Sequence, residues 1–399
     1  MHRVADAALP ELEAALDGER MRARVAHAAG QAPQEVAGCA IERVKYRPGR
    51  SALVLYRLSL EENMPEALVY ATVYPAGMAL RAFPEDRKLP GLRLLADPAR
   101  LRAEVLPDAL DCTVSRVSYF PEHAYTARIA VRLDGNRECS LYAKTQSTPR
   151  GERTFALLQD LHEKNLRCAR PLLYHAASAT LVQEAVPGST AESLAVQGRF
   201  SGALAAHVGA GVAALHGAKL DGLANLDAGS CLTRLHEVVR VLGAVMPQAA
   251  ARAGEVVGQL DKRPAPAIST WDTPATLHGD LHLNNILIDS GRVALVDLDD
   301  LCRGPAELEL GSFVAALAYR AALHGDRAMH QETVEHFLAG YAERAQRAVS
   351  IEHVHWYAAA ALIHERAWRC LTSLKPGRLA VIDELIARAA ELAFDPCLT

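Results

Sequence analysis

Residues 277–287 read LHGDLHLNNIL, and residues 296–300 read VDLDD. Between them, apolar residues at 286–288 and 293–296 flank the turn sequence Asp289-Ser290-Gly291. Two short apolar segments separated by such a turn predict a β-hairpin. The hairpin follows a glycine-containing loop, and its second strand is expected to bring the VDLDD segment back beside that loop.

Three polar side chains of this segment are expected to converge. Asp280 and Asn285 lie five residues apart on the loop, and Asp297 follows the second strand of the hairpin. Because the strands are antiparallel and the turn is short, the outer ends of the hairpin lie together. Phosphoryl transfer needs a carboxylate near the attacking hydroxyl and metal ligands that bridge the phosphates. Carboxylate and amide oxygens suit Mg²⁺, so the segment holds the groups that such a reaction requires.

Strand patterns occupy the first half of the chain, and helix patterns occupy the second half. Strands are predicted at 52–60, 67–74, 112–120, 124–133, 138–146 and 180–186. Helices are predicted at 151–163, 200–217, 229–262, 305–323, 329–348, 352–372 and 378–393. This segregation predicts an α+β fold with two unlike lobes, one β-rich and one helical.

The composition of the 399-residue chain excludes several classes of protein. Its net charge of -4 argues against a strongly basic nucleic-acid binder, and its 5% aromatic content argues against base-stacking surfaces. The eight cysteines form no C-x-x-C pair, which is typical of a reducing compartment. The N-terminus lacks the apolar region of a signal peptide, and the apolar run 202–217 is too short to cross a bilayer. We therefore expect a cytoplasmic protein without membrane or nucleic-acid partners.

The HGDLHLNNIL…VDLDD motif resembles the catalytic loop and metal-binding segment of the aminoglycoside phosphotransferase and choline kinase-like small-molecule kinases. The resemblance covers roughly residues 115–395 and implies a bilobal, protein-kinase-like fold. It implies that Asp280 accepts the proton of the substrate hydroxyl and that Asn285 and Asp297 hold Mg²⁺. By the same resemblance, His278 supports the loop.

The resemblance also implies a set of ATP-binding residues upstream. Lys144, in the strand sequence LYAKT, would contact the nucleotide phosphates, and Glu152 at the start of the next helix would pair with it. The segment LVQEAVPG at 181–188 resembles the hinge between the lobes, where the Glu184 carbonyl and the Val186 amide would pair with adenine.

The sequence departs from the family pattern in three places. No glycine-rich phosphate loop is visible, since Pro121-Glu122-His123-Ala124 stands where it is expected, and Glu122 is expected to repel phosphate. Glu309 stands where the family has an aspartate that braces the catalytic loop. Residues 1–115 have no certain counterpart in the smaller family members.

An internal repeat offers one interpretation of that extension. Residues 43–48 match residues 116–121 in the pattern Arg-Val-x-Tyr-x-Pro, and the strand carrying Thr72 matches the strand carrying Lys144. The match is either a chance similarity between strand-rich segments or the mark of a duplicated β-lobe. We therefore predict an N-terminal extension at 1–115, a duplicated lobe or a cap, followed by an ATP-binding lobe at 116–186 and a helical catalytic lobe at 187–399.

The predicted activity is transfer of the γ-phosphoryl group of Mg-ATP to a hydroxyl of a small molecule. Aminoglycosides, sugars and amino alcohols are all open as acceptors, and Asp299, Asp300, Glu307 and Glu309 are candidates for an acidic pocket that would suit a polycation. The alternative is a nucleotide-binding pseudokinase or scaffold, which the missing glycine loop favours. The oligomeric state cannot be read from the sequence.

Overall fold

The computed structural model describes residues 6–60, 66–148, 150–263, 274–346, 348–375 and 377–394. The described residues form two compact units. The first unit contains residues up to 156 together with 170–185 and 372–375, and the second contains the remainder. The predicted boundaries at 115 and 186 stay a prediction.

The first unit is built from two antiparallel sheets and short helices. The first sheet has the strand order β1 (Val36–Arg47), β2 (Ser51–Leu60), β3 (Ala67–Tyr74) and β4 (Gly77–Ala82). The second sheet has the order β5 (Asp111–Phe120), β6 (Ala124–Leu133), β7 (Arg137–Gln146), β9 (Thr180–Glu184) and β8 (Pro171–His175). Its helices are α1 (Leu12–Ala15), α2 (Gly18–Ala28), α3 (Leu92–Leu95), α4 (Pro98–Val105) and the start of α5 (Arg150–Glu163).

The two sheets are preceded by matching pairs of helices. Helices α1 and α2 precede β1–β3, and helices α3 and α4 precede β5–β7. In each pair the second helix is capped by an aspartate, Asp17 or Asp97, whose side chain accepts a hydrogen bond from the backbone N–H three residues later. This common order of elements favours duplication over chance similarity.

Strand register places Thr72 and Lys144 at corresponding positions in the two sheets. Thr72 lies in β3 opposite Leu53 of β2, and Lys144 lies in β7 opposite Thr126 of β6. Thr72 is buried, whereas Lys144 is half-buried. Of these two corresponding positions, the one in the second sheet carries the cation, Lys144.

The apolar core of the first unit lies on both faces of the first sheet. Residues at alternate positions of β2 point to opposite sides, as strand geometry requires. Val54 and Tyr56 pack with the residues of α1 and α2, while Leu53 and Leu55 pack with α3, α4 and the second sheet. The first sheet is therefore enclosed between the two pairs of helices.

The second unit is mainly helical, as predicted. Its helices after the end of α5 are α6 (Ala191–Val196), α7 (Gly202–His216), α8 (Ala228–Val245), α9 (Pro247–Lys262), α10 (Ala306–His324), α11 (Arg327–Ala345), α12 (Ile351–Ala361), α13 (Trp368–Ser373) and α14 (Ile382–Phe394). Its short strands are β10 (Ser189–Thr190), β11 (Ala224–Asn225), β12 (Ala275–Leu277), β13 (Ile286–Asp289), β14 (Arg292–Leu295) and β15 (Cys302–Gly304). The α+β prediction is confirmed in this division between a β-rich region and a helical region.

Two of the predicted helices are interrupted. The helix predicted at 229–262 breaks at Met246, whose φ of -137° and ψ of 73° are not helical. Pro247 follows, and a proline disfavours helical geometry in the residue before it. The helix predicted at 352–372 contains a π-helical segment, Leu362–Ala367, between α12 and α13. None of the described helices is long and apolar enough to cross a membrane.

Candidate active site

The catalytic-loop motif forms a tight turn between β12 and β13. Gly279 has a φ of 87°, and a side chain at this position would overlap the backbone carbonyl of Asp300. Glycine is therefore required here on two grounds, its left-handed backbone and the close approach of the neighbouring segment. This contact holds the loop against the residues that follow Asp297.

Glu309, at the start of α10, holds the backbone of the loop. Its two carboxylate oxygens accept hydrogen bonds from the N–H groups of His278 (3.0 Å) and Gly279 (2.8 Å). Burial works to raise the pKa of Glu309, but the hydrogen bond from His216 and the nearby imidazoles outweigh it and lower the pKa. Glu309 therefore stays a carboxylate, and its extra methylene relative to aspartate is accommodated.

His216, the last residue of α7, completes this buried network. Its Nε2 lies 2.9 Å from Glu309, and its Nδ1 lies 2.8 Å from the Tyr341 hydroxyl. Because a carboxylate can only accept, Nε2 carries a proton and donates to Glu309. Glu309 and His216 are respectively 3% and 2% exposed, so the network is shielded from water.

Asn285 and Asp297 meet at the open end of the β13–β14 hairpin. The Asn285 side-chain nitrogen donates to the Asp280 carbonyl (2.9 Å), and the Asn285 carbonyl accepts from Val296 N–H (3.0 Å). Asp297 is the next residue and has a left-handed backbone, with φ 62° and ψ 50°. Such a conformation costs free energy in a residue with a side chain, and it is common at functional sites. His278 Nε2 donates to the Val296 carbonyl (3.0 Å) and closes the same corner.

The Asp280 side chain lies between two basic residues. Arg369 of α13 donates through Nη2 to Asp280 Oδ1 at 3.3 Å, and His282 Nε2 lies 3.7 Å from Asp280 Oδ2. The Asp280 side chain is 36% exposed and that of Arg369 is 46% exposed, so both reach solvent. Burial lowers the pKa of His282 to about 4, although the negative charge of Asp280 acts to raise it. His282 is therefore neutral near pH 7.

A second arginine lies beneath this pair. Arg366, on the π-helical segment, is 3% exposed, and its Nη2 donates to Ser312 and to Glu365. Its Nε is buried and has no hydrogen-bond partner among the described residues. The charge of Arg369 acts to lower the pKa of Arg366, and the charge of Asp280 acts to raise it, so the three groups are close to one another.

Lys144 lies in the first unit, on the face of the second sheet opposite the apolar core. It pairs with Thr126, which pairs with Ser118, so the three side chains share that face.

The other predicted nucleotide-binding residues lie on neighbouring elements. Glu152 lies exposed in the first turn of α5. Glu184 ends β9, where its N–H donates to the Arg170 carbonyl and its side chain pairs with Arg170, and Val186 follows two residues later. The nucleotide-binding roles of these residues stay predictions.

Basic residues gather around the turn that replaces the glycine-rich loop. Phe120 lies on the same sheet face as Lys144, and Lys45 and Arg43 of β1 lie over its ring at 5.8 and 3.8 Å. Burial lowers the pKa of His123, and the charges of Lys45 and Lys144 add to this effect. Strand β1 of the first sheet therefore supplies two cations to the turn that follows β5 of the second sheet.

Glu122 does not present an uncompensated charge at this turn, contrary to the expectation that it would repel phosphate. Its carboxylate accepts a hydrogen bond from Lys88 Nζ at 2.6 Å. Its backbone N–H donates to Asp86 Oδ2 at 2.7 Å. An ion pair of this kind cancels most of the field of the carboxylate at a distance.

Comparison with known proteins assigns the chain to a family. The family model described as "Phosphotransferase enzyme family" matches residues 116–349, which is more than half of the chain. The chain belongs to this family. The predicted resemblance is confirmed, and so is the prediction that the protein is a phosphotransferase enzyme. No curated protein matches the sequence.

Solved structures show that this phosphotransferase has the protein-kinase-like fold. Spectinomycin phosphotransferase, in complex with ADP and spectinomycin, is 13% identical with a TM-score of 0.50, covering 75% of this chain and 97% of that one. A choline/ethanolamine kinase family protein from Mesorhizobium loti is 15% identical with a TM-score of 0.50, covering 75% and 94%. Choline kinase from Cryptosporidium parvum is 11% identical with a TM-score of 0.50, covering 70% and 88%.

The structure adds residues to the phosphotransferase site that the sequence did not indicate. Arg369 lies far along the chain from Asp280, and Arg366 lies in a helix whose interruption has no evident sequence signal. His216 contacts Glu309 although the two residues lie far apart in the sequence. These contacts arise from tertiary packing and not from a local motif.

Proposed function

We propose that the protein is an ATP-dependent kinase that transfers the γ-phosphoryl group of Mg-ATP to a hydroxyl of a small molecule. The new bond joins the acceptor oxygen to the γ-phosphorus, the bond between the γ-phosphorus and the bridging oxygen breaks, and ADP leaves. The acceptor proton passes to Asp280. The observation that carries this proposal is the buried support of the Asp280 loop by Glu309, together with the hydrogen bond from the Asn285 side chain to the Asp280 carbonyl.

Asp280 is suited to the role of catalytic base because its backbone is fixed by hydrogen bonds while its carboxylate is partly exposed to solvent. The bonds from His278 and Gly279 to Glu309 fix the backbone before it, and the Asn285 side chain fixes its carbonyl. Its carboxylate remains partly exposed. Positioning of this kind accounts for much of the rate of phosphoryl transfer, since the chemistry asks little else of the protein.

Asn285 and Asp297 fit the role of Mg²⁺ ligands. The Asn285 side chain is fixed through its nitrogen, and among the described residues no group donates to its oxygen. The Asp297 backbone adopts the left-handed conformation, which is unfavourable for a residue with a side chain and persists where the surrounding structure imposes it. Bound Mg²⁺ would neutralise the charge on the nucleotide phosphates. The two oxygens are of the hard type that this ion prefers.

The nucleotide would bind along the exposed face of the second sheet. Lys144 would contact the phosphates and pair with Glu152, while the Glu184 carbonyl and the Val186 amide would bind adenine. Lys45 and His123 lie at the edge of that face and would add positive or hydrogen-bonding groups where a glycine-rich loop is missing. The spectinomycin phosphotransferase structure contains ADP, which supports a nucleotide site in this fold.

The test is ADP formation from ATP, with and without Mg²⁺, in the presence of aminoglycosides, sugars, sugar acids and amino alcohols. We expect turnover that requires both Mg²⁺ and an acceptor and that is lost in Asp280→Ala. Titration calorimetry with Mg-ATP should still show binding to that variant.

The pseudokinase alternative makes the opposite prediction. A binding protein would take up Mg-ATP but form no phosphorylated product with any acceptor, and Asp280→Ala would change nothing. Failure of the wild-type protein to bind ATP at all would contradict both the kinase and the pseudokinase.

A further inference from the structure

The surroundings of Asp280 constrain the charge of the acceptor. An acceptor hydroxyl must approach the Asp280 carboxylate to lose its proton there, and this step rests on the function proposed above. Among the described residues, the basic side chains that lie within 4 Å of that carboxylate are Arg369 and His282. The part of the acceptor that lies beside its reacting hydroxyl therefore meets the positive charge of Arg369 and the neutral imidazole of His282.

Positive charge extends beyond this first contact. The charges of Arg378 and Arg369 act to lower the pKa of the Tyr319 hydroxyl, although burial raises it overall. The Arg378 guanidinium lies over the Tyr319 ring at 5.9 Å. Arg366 lies beneath, and the carboxylate within its reach, Glu365, is already bound to it and to Ser312. Among the described residues, the acidic side chains that contact these arginines are Glu365 and Asp280.

The acidic residues that would suit a polycation are used elsewhere. Glu307 and Glu309 are 1% and 3% exposed, so neither can contact an acceptor from solvent, and Glu309 is bound to the catalytic loop. Asp299 and Asp300 lie nearer the surface, and Asp300 packs against Gly279, the residue before Asp280. Among the described residues, the acidic side chain that contacts Arg369 is Asp280 itself.

We propose that the acceptor carries an anionic group, a carboxylate or a phosphate, beside the hydroxyl that is phosphorylated, and that Arg369 binds this group. In the structure Arg369 donates to Asp280 and reaches solvent, so an acceptor anion can replace Asp280 as its partner. That exchange frees the Asp280 carboxylate to accept the hydroxyl proton. The buried Arg366 lies close by; its Nη2 is paired with Glu365, and its Nε has no hydrogen-bond partner among the described groups.

The first test uses acceptor pairs that differ in one carboxylate: D-glycerate against glycerol, and D-gluconate against D-sorbitol, with kanamycin as a polycation. We expect kcat/KM to be at least 10-fold higher for the acid of a pair that is turned over. Arg369→Gln should raise the KM of the acid about 10- to 100-fold, the usual effect of losing a hydrogen bond to a charged group. Arg369→Glu should reverse the preference, and Arg388→Gln, which removes an exposed arginine paired with Glu391, should change neither value.

A preference for kanamycin or for the uncharged members of the pairs would overturn the proposal while leaving the kinase assignment intact. So would an Arg369→Gln variant that raises the KM of ATP and leaves the ratio between acid and alcohol unchanged, since Arg369 would then serve the nucleotide.

A second test does not depend on choosing the right acceptor. Inorganic sulfate is titrated into the protein saturated with Mg-AMP-PNP, which fills the nucleotide phosphate positions. We expect the wild-type protein to bind sulfate about 10-fold more tightly than Arg369→Gln does. Equal dissociation constants would overturn the anionic-acceptor proposal, whereas failure to bind Mg-AMP-PNP would instead contradict the proposed function.

Discussion

Asp6 and Asp86 make the same pair of hydrogen bonds, one pair beside the first sheet and the other beside the second. Asp6 Oδ2 accepts from the Tyr46 hydroxyl (2.8 Å) and from the Gly49 N–H (2.7 Å). Asp86 Oδ2 accepts from the Tyr119 hydroxyl (3.0 Å) and from the Glu122 N–H (2.7 Å). In each sheet, one carboxylate therefore links the end of a strand, β1 or β5, to the turn that follows it.

Loss of the second of these ties should destabilise the first unit. Asp86→Ala leaves the buried Tyr119 hydroxyl without its partner, and we expect the free energy of unfolding to fall by about 2–3 kcal/mol. Tyr119→Phe removes one bond and its polar group together, so its cost should be about 1 kcal/mol. Urea denaturation measures both. An Asp86→Ala protein as stable as the wild type would show that the shared contact has no structural role.

Asp280→Asn should lower kcat by about 10²–10⁴, the usual contribution of a general base. The amide retains the size of the carboxylate but cannot take up the proton, so Mg-ATP binding should be unchanged. Steady-state kinetics and calorimetry separate the two effects. Asp383→Asn, which removes a surface charge paired with Arg252, is the matched control and should keep full activity.

Lys45→Ala should raise the KM of ATP about 3- to 10-fold with little change in kcat. The lysine lies at the edge of the proposed nucleotide face, and one charge about 4 Å from a phosphate contributes about 1 kcal/mol when water screens the pair. Lys262→Ala, at the end of α9, provides a control in the other unit. If Lys45→Ala leaves the KM of ATP unaltered, the first sheet plays no part in nucleotide binding.

Glu309→Gln should destabilise the second unit by about 3 kcal/mol near pH 7, because it breaks a buried hydrogen-bonded network. The pKa of Glu309 is lower in the folded protein than its ordinary value of 4.5. Its ionised form therefore contributes stability above pH 4.5 that is lost as the pH falls through the folded pKa.

The difference in unfolding free energy between wild type and Glu309→Gln should accordingly shrink as the pH is lowered from 6 to 3.5. Denaturant titrations at several pH values measure this difference. Glu391→Gln, which removes one partner of an exposed ion pair, should cost less than about 1 kcal/mol at every pH. A difference for Glu309→Gln that grows on acidification would show that its carboxylate is not stabilised by folding.

The parts of the site that were predicted lie close together in the sequence. Asp280, Asn285 and Asp297 are joined by one loop and one hairpin, so local rules for turns and antiparallel strands suffice to bring them together. The strand and helix patterns were equally local, and most element boundaries agree to within a few residues. The break at Met246 had a signal in Pro247, which the helical periodicity of the flanking residues obscured.

The parts that escaped prediction depend on contacts between distant segments. Arg369 reaches Asp280 across 89 residues of sequence, and His216 reaches Glu309 across 93. No local pattern encodes either approach, since each depends on how helices pack. The matching roles of Asp6 and Asp86 were hidden for a related reason. They become comparable only when the strand register and the turn contacts are known.

The π-helical segment has a consequence for how the specificity of this enzyme can change. A π-helical turn accommodates one residue more than an α-helical turn, and each residue of an α-helix turns the chain by about 100°. Because the π-helical turn absorbs this additional residue, removing one residue from Leu362–Ala367 would restore a continuous α-helix and leave Arg369 on nearly the same face. A change in the contact between Arg369 and Asp280 therefore requires a substitution, and a one-residue deletion within this segment is expected to preserve it.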